Sequence, residues 1–385
     1  MKENQDIPSK SSRIYSIDIL RGLVMLFMLL DHVRERFFYH VPISDPIDIH
    51  AVSSELFFTR ILAHLCAPVF VFLTGLSAWL YAHPKGKPER SASGFLFKRG
   101  LLIILVEVTL INFSWFGEYK ILFLQVMWAI GVSMICLSVL SKLPHRWIGI
   151  VGFIIVFGHN TLTNFILSPD EWGFTLWTIL YQRGYILSSD LLSIKASYPV
   201  LPWIGVILLG YFTGPLFGEK FTSERRIKAL FQIGLGSLIL LCFLRGWNIY
   251  GETLPWERQE TFIQSVMSFL NFKKYPPSLD FLLLTIGIGM FLLLIFERFH
   301  NKFTSILKTF GSAPMFFYIM HLYVLLSLYK MCIYLFGTNQ GNYFGLDSLW
   351  QIWLVTIVLS VFLYFPTRAF SNYKKKSHSR WIKYF

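Results

Sequence analysis

The chain is 385 residues long, 54% hydrophobic and 18% aromatic, with only 15% charged residues and a mean hydropathy of +0.53. A soluble domain of this length cannot hide so much apolar surface, which excludes an ordinary cytosolic enzyme and leaves an all-α, polytopic transmembrane helical bundle. The net charge of +13 clusters in segments flanking apolar runs, so it speaks for membrane orientation and anionic headgroups and excludes a nucleic-acid groove.

Apolar runs of about 17–25 residues mark ten spans, near residues 15–38, 58–82, 99–116, 121–140, 147–166, 199–217, 229–247, 280–297, 309–335 and 348–366. With the N-terminus in the cytoplasm, the inside segments and their adjoining span ends hold 23 of the 35 Lys and Arg residues, and the outside ones hold 10. That asymmetry is the positive-inside pattern. It predicts a cytoplasmic segment 1–14, one integral domain over 15–366, and a basic cytoplasmic tail over 367–385. The polar opening "MKENQDIPSK", with no small-residue cleavage site after the first apolar run, predicts no cleaved signal peptide.

The first span, "SIDILRGLVMLFMLLDHV" (16–33), carries Asp18, Arg21, Asp31 and His32. Each charge at mid-bilayer costs about 2.5 kcal/mol or more, so a helix that only sat in lipid would avoid them. At about 100° per residue, Arg21 and His32 fall on one face, separated by roughly 16 Å along the axis. Asp18 lies one turn before Arg21, in reach of an i,i+3 ion pair. These three form a polar stripe that must face protein or water, whereas Asp31 points about 100° away. Snorkelling to headgroups also accommodates Arg21, but it does not require the alignment.

Further along, His64 lies in the second span, Glu107 in the third and His321 in the ninth. A lone histidine in a bundle is ordinarily a hydrogen-bonded packing residue, and His64 and Glu107 are first of all structural candidates. His145, His159 and His300 sit at span ends or in loops and are expected to be solvated. Cys66, Cys136, Cys242 and Cys332 all lie in apolar runs and read as small hydrophobes. No His or Cys spacing suits a metal. Two outside segments, 167–198 and 248–279, are long and rich in Trp, Tyr and Pro, as binding elements on a membrane scaffold are. No internal repeat is apparent. The stripe also suits a membrane transporter or flippase using it as a polar path, although the lack of an inverted repeat argues against that.

In order along the chain, "SIDILRGLVMLFMLLDHVRERFF", "LAHLCAPVFVFLTGLSAWLY", "FLFKRGLLIILVEVT", "QVMWAIGVSMI", "YPVLPWIGVILLGYFTG", "SFLNFKKYPPSLDFLLLTIG" and "GSAPMFFYIMHLYVL" resemble bacterial members of the heparan-alpha-glucosaminide N-acetyltransferase-like family. That family sits within a wider superfamily of transmembrane acyltransferases, which opens on a D-x-x-R-x10-H pattern matched here by Asp18, Arg21 and His32. A basic pair opening the third span is matched by Lys98 and Arg99; superfamily members that O-acetylate polysaccharides usually add an arginine three residues later, where this chain has Leu102.

The resemblance implies transfer of an acyl group, acetyl above all, from cytosolic acyl-CoA to an amino or hydroxyl group of a glycan, amino sugar or glycolipid-like acceptor at the outer face of a bacterial cytoplasmic membrane. Acetyl-CoA is then the donor substrate, and no metal is implied. His32 becomes the base or the acyl carrier, with His321 and Asp31 orienting it or stabilising an oxyanion. Arg21, Lys98 and Arg99 would hold the phosphates of coenzyme A. The outer loops would supply the acceptor site through Arg245, Asn248, Asn271, Lys273 and Tyr275, with Lys274, Trp247 and Tyr250 beside them. For the Trp and Tyr residues an interfacial aromatic belt is the plainer role.

Overall fold

The computed structural model describes residues 14–379 and residue 382. The expected N-terminal segment, apart from its last residue, and the end of the basic tail lie outside the described residues. Helix α1 (Tyr15–Phe37) is followed by α2 (Ser54–His64), which Ser53 caps by accepting from Leu56 N–H. Pro68 lacks the N–H that would bond back to His64, so the chain breaks at Leu65 before α3 (Cys66–Ala82). Helix α4 (Ser93–Val106), a π-helical turn (Glu107–Ile111) and α5 (Asn112–Phe116) make one continuous helical stretch.

The expected fourth span begins as a strand, β1 (Ile121–Leu124), and turns helical only at α6 (Val126–Leu140). Asn112 explains the strand. Its amide accepts from Phe123 N–H (2.6 Å) and donates to Phe123 O (3.0 Å), standing in for a neighbouring strand. Helix α7 (His145–Gly158) unwinds into a 3-10 turn (His159–Leu162), and α8 (Phe174–Leu180), β2 (Gly184–Leu187) and β3 (Ser193–Ala196) fill the first long loop. Strand β3 pairs in parallel with β1 and antiparallel with β2, giving the order β1-β3-β2. The fold is therefore mostly helical rather than wholly so. Strands of four residues are too short for alternation to reveal them in an apolar sequence.

Helix α9 (Leu201–Phe212) opens with a proline in its first turn, and α10 (Ser223–Gly246) is capped by Thr222. Then come α11 (Phe262–Leu270) and α12 (Leu279–Arg298), capped by Thr261 and Ser278. The expected ninth span is two helices, α13 (Lys302–Ser312) and α14 (Pro314–Phe336). Pro314 cannot continue α13 but suits the first position of α14. Helix α15 (Leu349–Lys376) runs through Pro366 and carries the helix into the expected tail.

Among the described residues, five helical stretches are long and apolar enough to cross a membrane: 54–82, 223–246, 279–298, 314–336 and 349–376. The other expected spans are shorter, interrupted or more charged. Only 17% of the apolar window of α10 and 22% of that of α15 is buried, against 78% for α2–α3, so the first two form the rim and the third the interior. Helix α1 runs through the core, with Leu20, Val24, Met25, Leu29 and Val33 fully buried. It lies backbone to backbone on α13: a Cβ on Gly22 would come within 1.8 Å of Leu307 O, and one on Gly311 within 1.8 Å of Asp18 O. Ser312 donates to Ser371 Oγ (2.7 Å). The start of α1 and the end of α15 therefore share one end of the bundle, called the inner end below; the opposite end is the outer end.

Candidate active site

A cavity of about 1270 Å³ opens along α1. Its lining reaches from Arg21, Arg99 and Lys374 at the inner end to Asp45, Arg183 and Lys274 at the outer end, with His32 between them. The stripe expected on α1 thus faces this cavity at both Arg21 and His32.

His32 meets His321 of α14. Nδ1 of His32 and Nε2 of His321 are 2.7 Å apart, and His321 Nδ1 is 2.9 Å from Phe317 O. A carbonyl only accepts, so His321 Nδ1 carries the proton of that bond, and neutral His321 offers Nε2 as an acceptor. His32 therefore donates from Nδ1, and its Nε2 holds an unprotonated lone pair. That nitrogen makes no protein hydrogen bond and is not sealed from the cavity. The two rings lie 9° from parallel, and Trp115 and Tyr318 pack edge-on against His32 at centroid distances of 5.2 and 6.0 Å. His321 is fully buried and does not itself line the cavity.

At the inner end, Arg21 donates to Asp18 Oδ1 (3.1 Å), to Ser77 Oγ (2.9 Å) and to Gly311 O (3.4 Å). The i,i+3 pair is present as the spacing requires. Arg99 lines the cavity with its Nε buried and unbonded, a cation short of an anion. Lys98 is exposed and absent from the lining, because a neighbour on a helix points about 100° away. Lys374, from the far end of the sequence, joins instead.

The outer end is built by loops and by residues that carried no periodic signal. Asp31 lines the cavity but does not bond His32. Arg34 holds its Oδ1 (2.9 and 3.1 Å) and Arg60 holds its Oδ2, while Arg34 also donates to Glu35 (3.3 Å). Arg36 donates to the carbonyls of Ser114 and Trp115. Asp45 accepts from the backbone N–H groups of Lys274 (3.0 Å) and Tyr275 (3.1 Å); burial pushes its carboxyl upward, and these bonds pull against that. Tyr275 lines the cavity and shares a hydrogen bond with Tyr198 (3.1 Å between hydroxyls).

The other acceptor candidates lie outside the lining of the cavity. Arg245 is 1% exposed and donates to four carbonyls, those of Leu254, Ser268, Phe269 and Asn271, so it closes the end of α11. Asn271 pins the loop after α1, accepting from Ile47 N–H (2.9 Å) and donating to Ile47 O (2.7 Å). The Asn248 side-chain amide donates to Trp256 O and accepts from Trp256 N–H, and Lys273 N–H donates to Glu252; neither Asn248 nor Lys273 lines the cavity. Trp247 is exposed, and Tyr250 donates to Phe157 O.

His64 packs on Phe281 outside the cavity, and Glu107 accepts from Met127 N–H (3.1 Å) at the start of α6. His300 is exposed, but His145 is half-buried, with Nε2 3.0 Å from Phe212 O, and His159 does not match its expected solvation. It is buried, with Nε2 2.8 Å from Pro277 O and Nδ1 2.9 Å from Val156 O. Among the cysteines, Cys66 is buried and lines the cavity and Cys242 is exposed. Among the described residues, no group of three or more His, Cys, Asp or Glu side chains is arranged to hold a metal ion.

The family model for heparan-alpha-glucosaminide N-acetyltransferase, catalytic, matches residues 13–245, well over half of the chain. This chain belongs to that family. It is a family of membrane acetyltransferases. No curated protein matches the chain. The matched segment contains α1 to α10 and thus Arg21, His32, Arg60 and Arg99; α14, which brings His321, lies beyond it.

Proposed function

We propose that the protein moves an acetyl group from acetyl-CoA, entering at the inner end of the cavity, to the amino group of a sugar entering at the outer end. The observation that carries this reading is the hydrogen bond between His32 and His321, which leaves an unprotonated Nε2 on the wall of a cavity with cations at both ends. In the reaction, His32 Nε2 takes the proton of the acceptor amine as its nitrogen attacks the thioester carbonyl carbon. The C–S bond breaks, coenzyme A leaves as thiolate, and His32 returns the proton to sulfur. His321 keeps the imidazole in the right tautomer throughout.

The donor end fits the anionic phosphates of coenzyme A. Arg99 lacks a counter-charge, and Arg21 and Lys374 stand beside the same cavity. The excess of Lys and Arg at that end supports a cytoplasmic inner end, with ten crossings and both termini inside. The transporter alternative has nothing in its favour beyond the stripe itself.

Labelled acetyl-CoA offered with glucosamine to the purified protein tests the reading. His32→Ala should lower transfer by about 10²–10⁴-fold while coenzyme A binding is retained. Turnover within a few-fold of the parent overturns the role of His32. Labelled acetyl recovered on His32 makes it an acyl carrier instead of a base.

A further inference from the structure

The outer mouth of the cavity is short of negative charge. Six cationic side chains line it and only three carboxylates do, Asp31, Glu35 and Asp45. Asp31 is spent on Arg34 and Arg60, Glu35 lies against Arg34, and Asp45 is spent on two backbone N–H groups. Lys274 is left over. It is 4% exposed, yet its ammonium has no hydrogen bond and no carboxylate within ion-pair distance. It stands 5.3 Å from the centre of the Tyr275 ring, and the Arg183 guanidinium stands 4.8 Å from the same ring. Two cations on one aromatic ring repel each other, and an ammonium on the cavity wall that no carboxylate touches is open to an anion. An anion held by both offsets that repulsion.

We infer that Lys274 and Arg183, gathered around Tyr275, form a subsite for an oxyanion carried by the acceptor, so that the substrate is an amino sugar bearing a carboxylate or phosphate rather than a neutral one. This rests on the reading of the cavity as an acetyl-transfer path. The buried Lys274 supplies the charge-assisted bond, Arg183 at the rim steers and closes it, and the Tyr275 ring stacks the sugar. The subsite lies on the acceptor side of His32, so the anion anchors the sugar while its amine reaches Nε2.

The test uses three acceptors of similar size: glucosamine, glucosamine 6-phosphate and muramic acid. The parent protein should favour one or both anionic sugars over glucosamine in kcat/KM, and which one it favours distinguishes phosphate from carboxylate. Lys274→Gln should raise KM for the favoured sugar about ten-fold or more, as the loss of a charge-assisted bond does, and should change KM for glucosamine far less. Arg183→Gln, at an exposed position that does not threaten folding, should act in the same direction but less. Lys273→Gln, outside the cavity, should do neither. Equal activity on all three sugars, or equal losses on neutral and anionic sugars in both variants, overturns the subsite. Protection of the purified protein from heat by each sugar is read separately. If no sugar is acetylated but the anionic ones still protect the parent and not Lys274→Gln, the subsite stands and the acetyl-transfer reading falls. If glucosamine is acetylated and the anionic sugars neither protect nor react better, the reverse holds.

Discussion

The two ends of the cavity are built differently. At the inner end, α1 and α13 touch through glycines, and the ion pair of the stripe, Asp18–Arg21, lies within a single helical turn. At the outer end, loops separated by more than two hundred residues are pinned by side chains onto backbone, as Asn271 pins Ile47 and Asp45 holds the loop at Lys274. On the proposed reading, helix packing gives a port of fixed shape, suited to a donor that never varies. Side-chain anchors give a mouth whose shape changes with a few loop residues, as acceptor recognition requires.

Gly311→Val should break the inner end most completely. Its side chain would enter the space of Asp18 O, where no flexible side chain can yield, and overpacking of that kind costs about 1–3 kcal/mol or more. A large loss of folded protein, read by size-exclusion chromatography after extraction, is the expected outcome; normal recovery would show that the two helices can separate.

His321→Ala, at the junction of the two ends, should lower kcat by about 10²-fold through misplacement of His32, with donor KM unchanged. His321→Gln keeps an acceptor for His32 Nδ1 and should restore part of that rate. A purely structural His321 would lower both variants alike and leave the pH profile of kcat unmoved.

Arg99→Ala should separate the ends by weakening coenzyme A binding about ten-fold or more, leaving acceptor KM unchanged. A calorimetric titration with coenzyme A checks it, and unaltered affinity removes Arg99 from the donor port. The smallest effect is expected of Asn271→Ala. It strands Ile47 N–H and O, at about 1–3 kcal/mol of stability, and should raise acceptor KM only a few-fold; an equal change in donor KM would mean that the outer loops also shape the inner port.

Within the candidate site, the residues legible in the sequence were those tied together by helical spacing. Asp18, Arg21 and His32 share one face because about 100° per residue fixes it, and the ion pair follows. Lys98 and Arg99 show the limit of that reasoning, since the pair is adjacent in sequence and only Arg99 faces the cavity. Arg245 and Asn271 misled for a different reason. Their chemistry suits a sugar, but it also suits unpaired backbone carbonyls and N–H groups in buried loops, and here the backbone took them. Arg60, Lys274 and Lys374 carried no periodic signal as site residues.

Composition and periodicity alone determined that the chain is a membrane bundle, that its first helix carries a polar face, and that the long segments are not spans. These follow from local rules: lipid rejects charge, and a helix repeats every 3.6 residues. Only tertiary structure decided that His32 meets His321 across 289 residues, that Arg60 rather than His32 holds Asp31, and that Lys274 is left without a counter-ion. Such pairings depend on which helix lies beside which. That is settled by close backbone approach and by competition for the same hydrogen bonds, and neither is written in the spacing of residues along one chain.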